Sequence, residues 1–451
     1  MNKQKSNNYI FENDILSYES FINEFTFEIF KEFDLKADKL ELESKIDDLI
    51  NGEIVNETEN QAAFHPKYRS HISNKEELPR NLKDAELKAE EFFNRCISSE
   101  NGVKKQVNII TLGIGGSYEG PKILLECFNH PIGWDISGLN KINYDFITGS
   151  DPNEFEYKTR SLDAEDTFFI VSSKSFTTDE TIELLKKAFF WSNSKSNFIA
   201  ITANPNEAKK YGIEEIIEFD KEIGGRYSIW SPVTQFHLCG EKRSRFEMGG
   251  HQADIDLKGN KEYLKFVKNL SYSDIWLNNF KGKNARAILS YMWNLRSLPD
   301  YLQQLEMESL GKKANYQYDY NKTGQIIFGG YGPKAQHSYF QLLHQGTQDV
   351  CADIIANRGD SESLNYAQAI TQSKLLSFER INLKNEEKIN SNVPVNLFLL
   401  RKLDPYSLGY LIATWEHRTF ITSVMLGINP FDQFGVNAGK IYTKKYLADK
   451  D

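Results

Sequence analysis

The chain is poor in the residues that would commit it to several common designs. Its four cysteines, Cys96, Cys127, Cys239 and Cys351, are scattered through 451 residues without a CxxC pair. That spacing offers neither a disulfide framework nor a zinc site, and it reads as reduced core thiols in a cytosolic protein. No run of about 18 apolar residues occurs, so no membrane-spanning helix is expected. The first residues are polar and lack the apolar core of a signal peptide, and Met1 to Asn8 are expected to be loose. Basic residues are outnumbered, 54 Lys and Arg against 63 Asp and Glu, for a formal net charge of -9. That balance argues against a nucleic-acid binder. No tandem short repeat is visible.

What is present is an ordinary globular composition, 40% hydrophobic and 26% charged. The length suits about two or three domains. The first hundred residues read as helical, with Phe21, Phe25, Ile29 and Phe30 on one face and Leu40, Leu42, Ile46 and Leu49 on another. From Val107 the texture alternates. Val107–Leu112, Phe168–Val171, Phe198–Ala203 and Ile216–Phe219 read as strands, and Ile182–Trp191 reads as a helix between two of them. Such alternation predicts a parallel sheet covered by helices, with ligands at the carboxyl ends of the strands. A helical stretch is expected from Ala285 to Lys312, a second mixed region from Gln325, and a polar connection from Asn385 to Asn396. The fold class is therefore α/β. A helical region is expected over 1–100, one α/β domain over 101–275 and a second over 276–451.

Two loops carry the strongest chemical signal. Gly113-Ile114-Gly115-Gly116-Ser117 follows the first strand, and Ser172-Ser173-Lys174-Ser175-Phe176-Thr177-Thr178 follows the second. An amphipathic helix pattern follows each. Backbone N–H groups at a helix N-terminus, hydroxyls and small side chains suit a phosphate. For the first loop the plain alternative is a tight turn with Ser117 as a helix cap. In the second, Thr177 and Glu180 read as a T-x-x-E capping box, which leaves Ser173, Lys174 and Ser175 unexplained by folding alone.

Four more segments hold candidate chemistry. In Gly224-Gly225-Arg226-Tyr227-Ser228, two glycines free the backbone to present a guanidinium, either to an anion in a cleft or to solvent. Gln304 and Glu308 are i, i+4 on one helix face, and Glu308 is either a general base or the surface partner of Lys312. Gln336 to Gly346 reads as one helix bearing His337, Gln341 and His344. It has no HExxH spacing for a metal, and a histidine there is either structural or a proton shuttle. Asn429-Pro430 opens a turn into a helix on which Gln433 and Lys440, seven apart, face the same way.

In this order, six segments resemble the glucose-6-phosphate isomerase (phosphoglucose isomerase) family. They are GIGGS at 113–117, SSKSFTTDET at 172–181, GGRYSIWSP at 224–232, MESLGK at 307–312, AQHSYFQLLHQGT at 335–347 and INPFDQFGVNAGK at 428–440. The resemblance spans most of 107–440 and leaves the first hundred residues unmatched. It implies two three-layer αβα domains of the sugar-isomerase (SIS) type with parallel-rich sheets, meeting at the active site. It implies reversible aldose–ketose isomerisation of glucose 6-phosphate and fructose 6-phosphate, in glycolysis and gluconeogenesis, without metal or organic cofactor. The serine/threonine loop that holds the phosphate maps to Ser173, Lys174, Ser175 and Thr178, and Gly116 and Ser117 lie beside the sugar. The family's base maps to Glu308, its ring-opening pair to His337 and Lys440, and its enediolate-stabilising arginine to Arg226. Gln304 and Gln433 map to glutamines at the sugar, and Glu180 to the group that orients His337. The resemblance further implies a cytoplasmic homodimer in which His337 reaches the neighbouring subunit's site.

The sequence departs from the family pattern in places. Ser175 stands where Thr is usual. Gly329-Gly330-Tyr331-Gly332-Pro333-Lys334-Ala335 replaces a loop that commonly reads GEPGTNG, and Asn437-Ala438 replaces Glu-Leu. The chemistry fits the residue types. A C–H beside a carbonyl is a very weak acid, so a positioned carboxylate must remove the proton while a cation stabilises the enediolate. A non-catalytic sugar-phosphate sensor is the alternative class, and the presence of Glu308, His337 and Lys440 together speaks against it. Action on mannose 6-phosphate, which differs only in C2 stereochemistry, stays open.

Overall fold

The computed structural model describes residues 9–70, 82–99, 102–103, 106–128, 141–378 and 382–449, and the expectation for Met1 to Asn8 lies outside them. Two main sheets are built from β1 (Ile10–Glu12), β2 (Leu16–Ser20), β3 (Gln106–Leu112), β4 (Lys141–Ile147), β5 (Thr167–Ser172), β6 (Phe198–Thr202), β7 (Ile216–Glu218), β8 (Ala285–Ser290), β9 (Ile326–Tyr331), β10 (Val350–Asn357) and β11 (Val395–Leu400). The chain divides into two compact units. One is Phe64–Met248, and the other joins Met1–Ala63 to Gly249–Asp451.

The unit Phe64–Met248 carries a five-stranded sheet in the order β7-β6-β5-β3-β4, parallel throughout. Every residue of β5 and β6 is buried. A strand covered on both faces has no polar side to alternate with, which is why these segments read as unbroken apolar runs. Helix Asp179–Ser192 packs Leu184, Leu185 and Ala188 into the same core as Ile110, Phe169 and Phe198. All four expected strands are present within a residue or two of their expected ends.

The other unit carries a six-stranded sheet in the order β1-β2-β11-β10-β8-β9. β9, β8, β10 and β11 are parallel, and the hairpin β1–β2 is added antiparallel to β11. This hairpin corrects the helical reading of the first hundred residues. Leu16, Tyr18 and Ser20 are buried in strict alternation with Ser17 and Glu19, the period of two that marks a half-buried strand. Helices do follow, at Phe27–Lys39, Leu42–Asn51, His65–Ser70 and Leu82–Ile97. The N-terminal segment is thus part of the second sheet's unit, so the domain limits at 100/101 and 275/276 differ from the observed division at 63/64 and 248/249.

The helical reading of Ala285 to Lys312 is also corrected. It begins with the strand β8, buried from Arg286 to Ser290, and only then turns through short helical pieces. A short, fully buried strand cannot be told from a buried helix by periodicity. Through the core runs helix Pro405–Leu426. Its start is capped by Asp404, which accepts from the Ser407 amide at 2.9 Å, and it ends at Gly427 with a φ of 64°. It buries charge as well as apolar surface. Arg418 pairs with Asp274 and Asp353 at 2.7 Å, and Arg286 pairs with Asp274 at 2.6 Å, with Asp353 at 3.5 Å and with Glu306. Burial disfavours the Asp274 carboxylate, but Arg286 and Arg418 outweigh it and hold its pKa below the ordinary value. No helix among the described residues is long and apolar enough to cross a membrane. All four cysteines are buried free thiols.

Candidate active site

In the unit Phe64–Met248, three segments converge at the carboxyl ends of β3 and β5. Gly116 begins helix Gly116–Phe128, and a Cβ there would lie 1.8 Å from the Gly225 carbonyl oxygen. Only glycine allows the turn that carries Arg226 to come this close. Ser228 Oγ donates to the Gly116 carbonyl at 3.3 Å, and Ser172 Oγ donates to Ser117 Oγ at 3.0 Å. Arg226, in the 3₁₀ turn Gly225–Trp230, is almost wholly buried. Its turn is braced by His65, stacked on Tyr227 at 4.5 Å, and by Arg69, over the Trp230 ring at 4.7 Å.

The serine/threonine loop is fastened by backbone and hydroxyl hydrogen bonds. The Lys174 carbonyl accepts from the Ala203 amide at 3.0 Å and from Thr202 Oγ1 at 3.1 Å. Phe176 is fully buried at a φ of 54°, a backbone strain that its ring offsets by anchoring the loop. Ser173 Oγ accepts from the Phe176 amide at 3.2 Å and shares a 3.3 Å hydrogen bond with Thr178 Oγ1. Ser175 and Thr177 are exposed, Lys174, Thr178 and Glu180 half-buried. The expected capping box is displaced: Thr178 is the N-cap of helix Asp179–Ser192, and Thr177 Oγ1 donates to Ser175 Oγ at 2.8 Å. With the side chains engaged in the loop, the helix N-terminus faces the hydroxyls, an arrangement suited to an anion.

In the other unit, Gln304 and Glu308 follow β8 on a π-helical turn, Gln303–Met307, that leads into the short helix Glu308–Leu310. Gln304 Nε2 donates to Glu308 Oε2 at 3.2 Å, and Glu308 is half-buried. Lys312 is not a surface group, its side chain being 16% exposed. Its ammonium donates to the Glu308 backbone carbonyl at 2.9 Å and pairs with the Asp432 carboxylate at 3.0 Å. Asp432 also accepts from Thr58 Oγ1 at 2.9 Å, and Asn429 Nδ2 donates to Asn56 Oδ1 and Thr58 Oγ1. Gln433, next in the chain, is thereby tied to the turn that carries Glu308.

These contacts do not extend to His337 or Lys440, both of which are exposed. His337 ends helix Gly332–Gln336, and a second helix, Phe340–Gln345, starts three residues later, so the single helix expected over Gln336 to Gly346 is broken at the histidine. Gln433 has a φ of -154° and precedes helix Asn437–Ala448, which carries Lys440; the shared face expected for the two does not exist. The unusual segment before His337 forms the end of β9 and the start of helix Gly332–Gln336. A Cβ on Gly329, at a φ of 158°, would lie 1.9 Å from the Ile288 carbonyl oxygen, so glycine lets the strand close on β8.

A sequence profile described as phosphoglucose isomerase matches residues 20–450. The chain belongs to the phosphoglucose isomerase family. It is 35% identical over 427 residues to a glucose-6-phosphate isomerase of Legionella pneumophila (strain Lens), covering 90% of this chain and 83% of the relative. It is 33% identical over 458 residues to one of Shewanella woodyi, covering 90% and 82%. The crystal structure of a glucose-6-phosphate isomerase from Chlamydia trachomatis shares the fold, with a TM-score of 0.83 at 23% identity, covering 98% of this chain and 90% of that one. A hypothetical protein from Thermus thermophilus shares it at a TM-score of 0.70 and 22% identity, covering 94% and 98%. The family match takes in the N-terminal residues that the motif reading left unmatched, among them Thr58, His65 and Arg69. No local sequence pattern singles them out, since their partners lie far along the chain.

Proposed function

We propose that the chain catalyses the reversible isomerisation of glucose 6-phosphate and fructose 6-phosphate through ring opening and a cis-enediolate. The observation that carries this reading is the Gln304–Glu308 pair. It is a half-buried carboxylate, oriented by an amide, beyond the carboxyl end of a parallel strand, in a chain whose other sheet presents a hydroxyl-lined loop at the same kind of edge. In this reading Ser173, Lys174, Ser175 and Thr178 hold the phosphate, and Gly116 and Ser117 lie beside the sugar. His337, oriented by Glu180, and Lys440 open the ring by moving protons at the ring oxygen and the anomeric hydroxyl. Glu308 takes the proton from C2 and returns it to C1, while the Arg226 guanidinium stabilises the negative oxygen formed between these steps. Gln304 and Gln433 hold sugar hydroxyls. The exposure of His337 supports a homodimer in which it serves the other subunit's site, and the four buried thiols support a cytoplasmic setting.

The test is conversion of fructose 6-phosphate to glucose 6-phosphate, coupled to a dehydrogenase with EDTA present, for wild type and Glu308→Gln side by side. Wild-type turnover should be insensitive to EDTA, and the variant should lose about 10²–10⁴-fold or more in kcat while still binding the sugar phosphate. Tight binding without wild-type turnover would replace the enzyme with a sensor. Normal turnover in the variant would remove Glu308 from the role of base.

A further inference from the structure

The buried cluster around Arg286 and Arg418 in the six-stranded unit holds one more acid than base, and the excess falls on one residue. Two guanidinium groups, Arg286 and Arg418, meet three carboxyl groups, Asp274, Asp353 and Glu306. The two aspartates alone match the two arginines. Arg418 binds both of them, and Arg286 reaches both. Glu306 is therefore not needed to neutralise the cluster, and its presence there is costly: burial, reinforced by Asp274 and Asp353, pushes its carboxyl above the ordinary value despite Arg286.

What Glu306 adds is a tether. It lies in the π-helical turn Gln303–Met307, two residues before Glu308. Its Oε1 accepts from Trp415 Nε1 at 3.0 Å and its Oε2 accepts from Arg286. Because both oxygens face donors, an amide could not satisfy both, since its NH₂ group cannot accept. The same turn is held sideways on the edge strand β9, where Gln303 Nε2 donates to the Ile327 carbonyl at 3.0 Å and the Ile327 amide donates to Met307 Sδ at 3.4 Å. A π-helical turn is a rare, locally unfavourable conformation that persists where its surroundings over-determine it, and such turns occur frequently at functional sites. Three of its five residues are fastened in this way, and a fourth, Gln304, bonds to Glu308.

We propose that Glu306 is a positioning residue for the base, its buried carboxylate fastening the π-helical turn to Arg286 and Trp415 so that Glu308 is aimed at the substrate carbon. The proposal rests on the reading of Glu308 as that base. Glu306→Leu leaves a charge-balanced cluster and should fold. Its kcat should fall about tenfold to a hundredfold, the scale set by a displacement of about 1 Å in a reacting group. KM for glucose 6-phosphate should change by less than kcat does, because the phosphate loop belongs to the other unit and only Gln304, on the displaced turn, is proposed to touch the sugar. If proton abstraction becomes the slow step, the primary isotope effect on kcat with substrate deuterated at C2 should rise above the wild-type value. A merely structural role would reduce the folded fraction and leave the isotope effect unmoved.

Trp415→Phe, which removes the indole donor to Oε1 together with part of a buried ring but leaves the charges of the cluster in place, covers the case in which Glu306→Leu fails to fold; it should show the same rise in isotope effect with a smaller loss of kcat. Glu308→Gln is measured beside both. If Glu308→Gln is inactive while a folded Glu306→Leu or Trp415→Phe variant turns over normally with an unchanged isotope effect, the tether is wrong and the base stands. If Glu308→Gln turns over normally, the base reading fails and the tether fails with it.

Discussion

The two sheets hold their candidate site residues by different physical means. In the unit Phe64–Met248 the serine/threonine loop is fastened by carbonyls, amides, hydroxyls and one buried ring. In the other unit the turn bearing Glu308 has such bonds too, and adds charge to them, through Glu306 to Arg286 and through Lys312 to Asp432. Charge-assisted hydrogen bonds are shorter and about twice as strong as neutral ones. Under the proposed function this added stiffness falls on the turn that carries the base, while the loop proposed to take the phosphate is fastened through its hydroxyls and amides.

The largest effect is expected from breaking the charged side. Arg418→Leu leaves Asp274 and Asp353 buried with only Arg286 beside them, and should destabilise the protein by about 3–5 kcal/mol in denaturant unfolding at pH 7. A loss below about 1 kcal/mol would mean that the cluster is not the fastening described. The neutral side is sharpened by pH. Burial pushes the His237 imidazole down to about 3, and it is held neutral beside Thr111, 3.3 Å away, and Phe146. Since the unfolded chain takes up this proton near pH 6.5, the stability His237 contributes is complete above that pH and is lost as pH falls toward 3. Between pH 7 and 4.5 the wild type should lose about 2–3 kcal/mol more than His237→Gln, read from parallel unfolding curves. Equal slopes would show that the imidazole is not kept neutral. The smallest effect is expected at the rim of the loop. Ser175→Ala removes an exposed acceptor of two hydrogen bonds from Thr177. It should raise KM about fivefold, the worth of about 1 kcal/mol, with kcat within about twofold. A large fall in kcat at unchanged KM would argue that this loop does not hold the phosphate.

The all-parallel sheet was legible because a strand buried on both faces declares itself as an apolar run, and β5 and β6 do so. β8 was missed because Arg286 interrupts such a run with a charge whose partners, Asp274, Glu306 and Asp353, are not its neighbours in sequence. β2 was missed for the same reason of distance: its partner β11 lies near the other end of the chain, and the phenylalanines that follow it spoke for helix. The loops carrying Ser117, Ser173 and Arg226 were legible as small-residue turns after strands. The π-helical turn was not, since helical spacing places Gln304 beside Glu308 whether the turn has the extra residue or not. The fastening of Lys312 to Asp432 joins segments 120 residues apart, which no local pattern encodes.

The antiparallel pairing of β2 with β11, in register from Ser20 opposite Asn396 to Leu16 opposite Leu400, has a consequence for how the chain is made. β2 is made long before β11, the strand it pairs with. The unit Phe64–Met248 is contiguous and can complete its fold while residues 10–20 are still unpaired. Pairing β2 with β11 therefore closes a very long loop, and a chain truncated before Val395 would keep its second sheet unfinished and the hairpin β1–β2 without a seat.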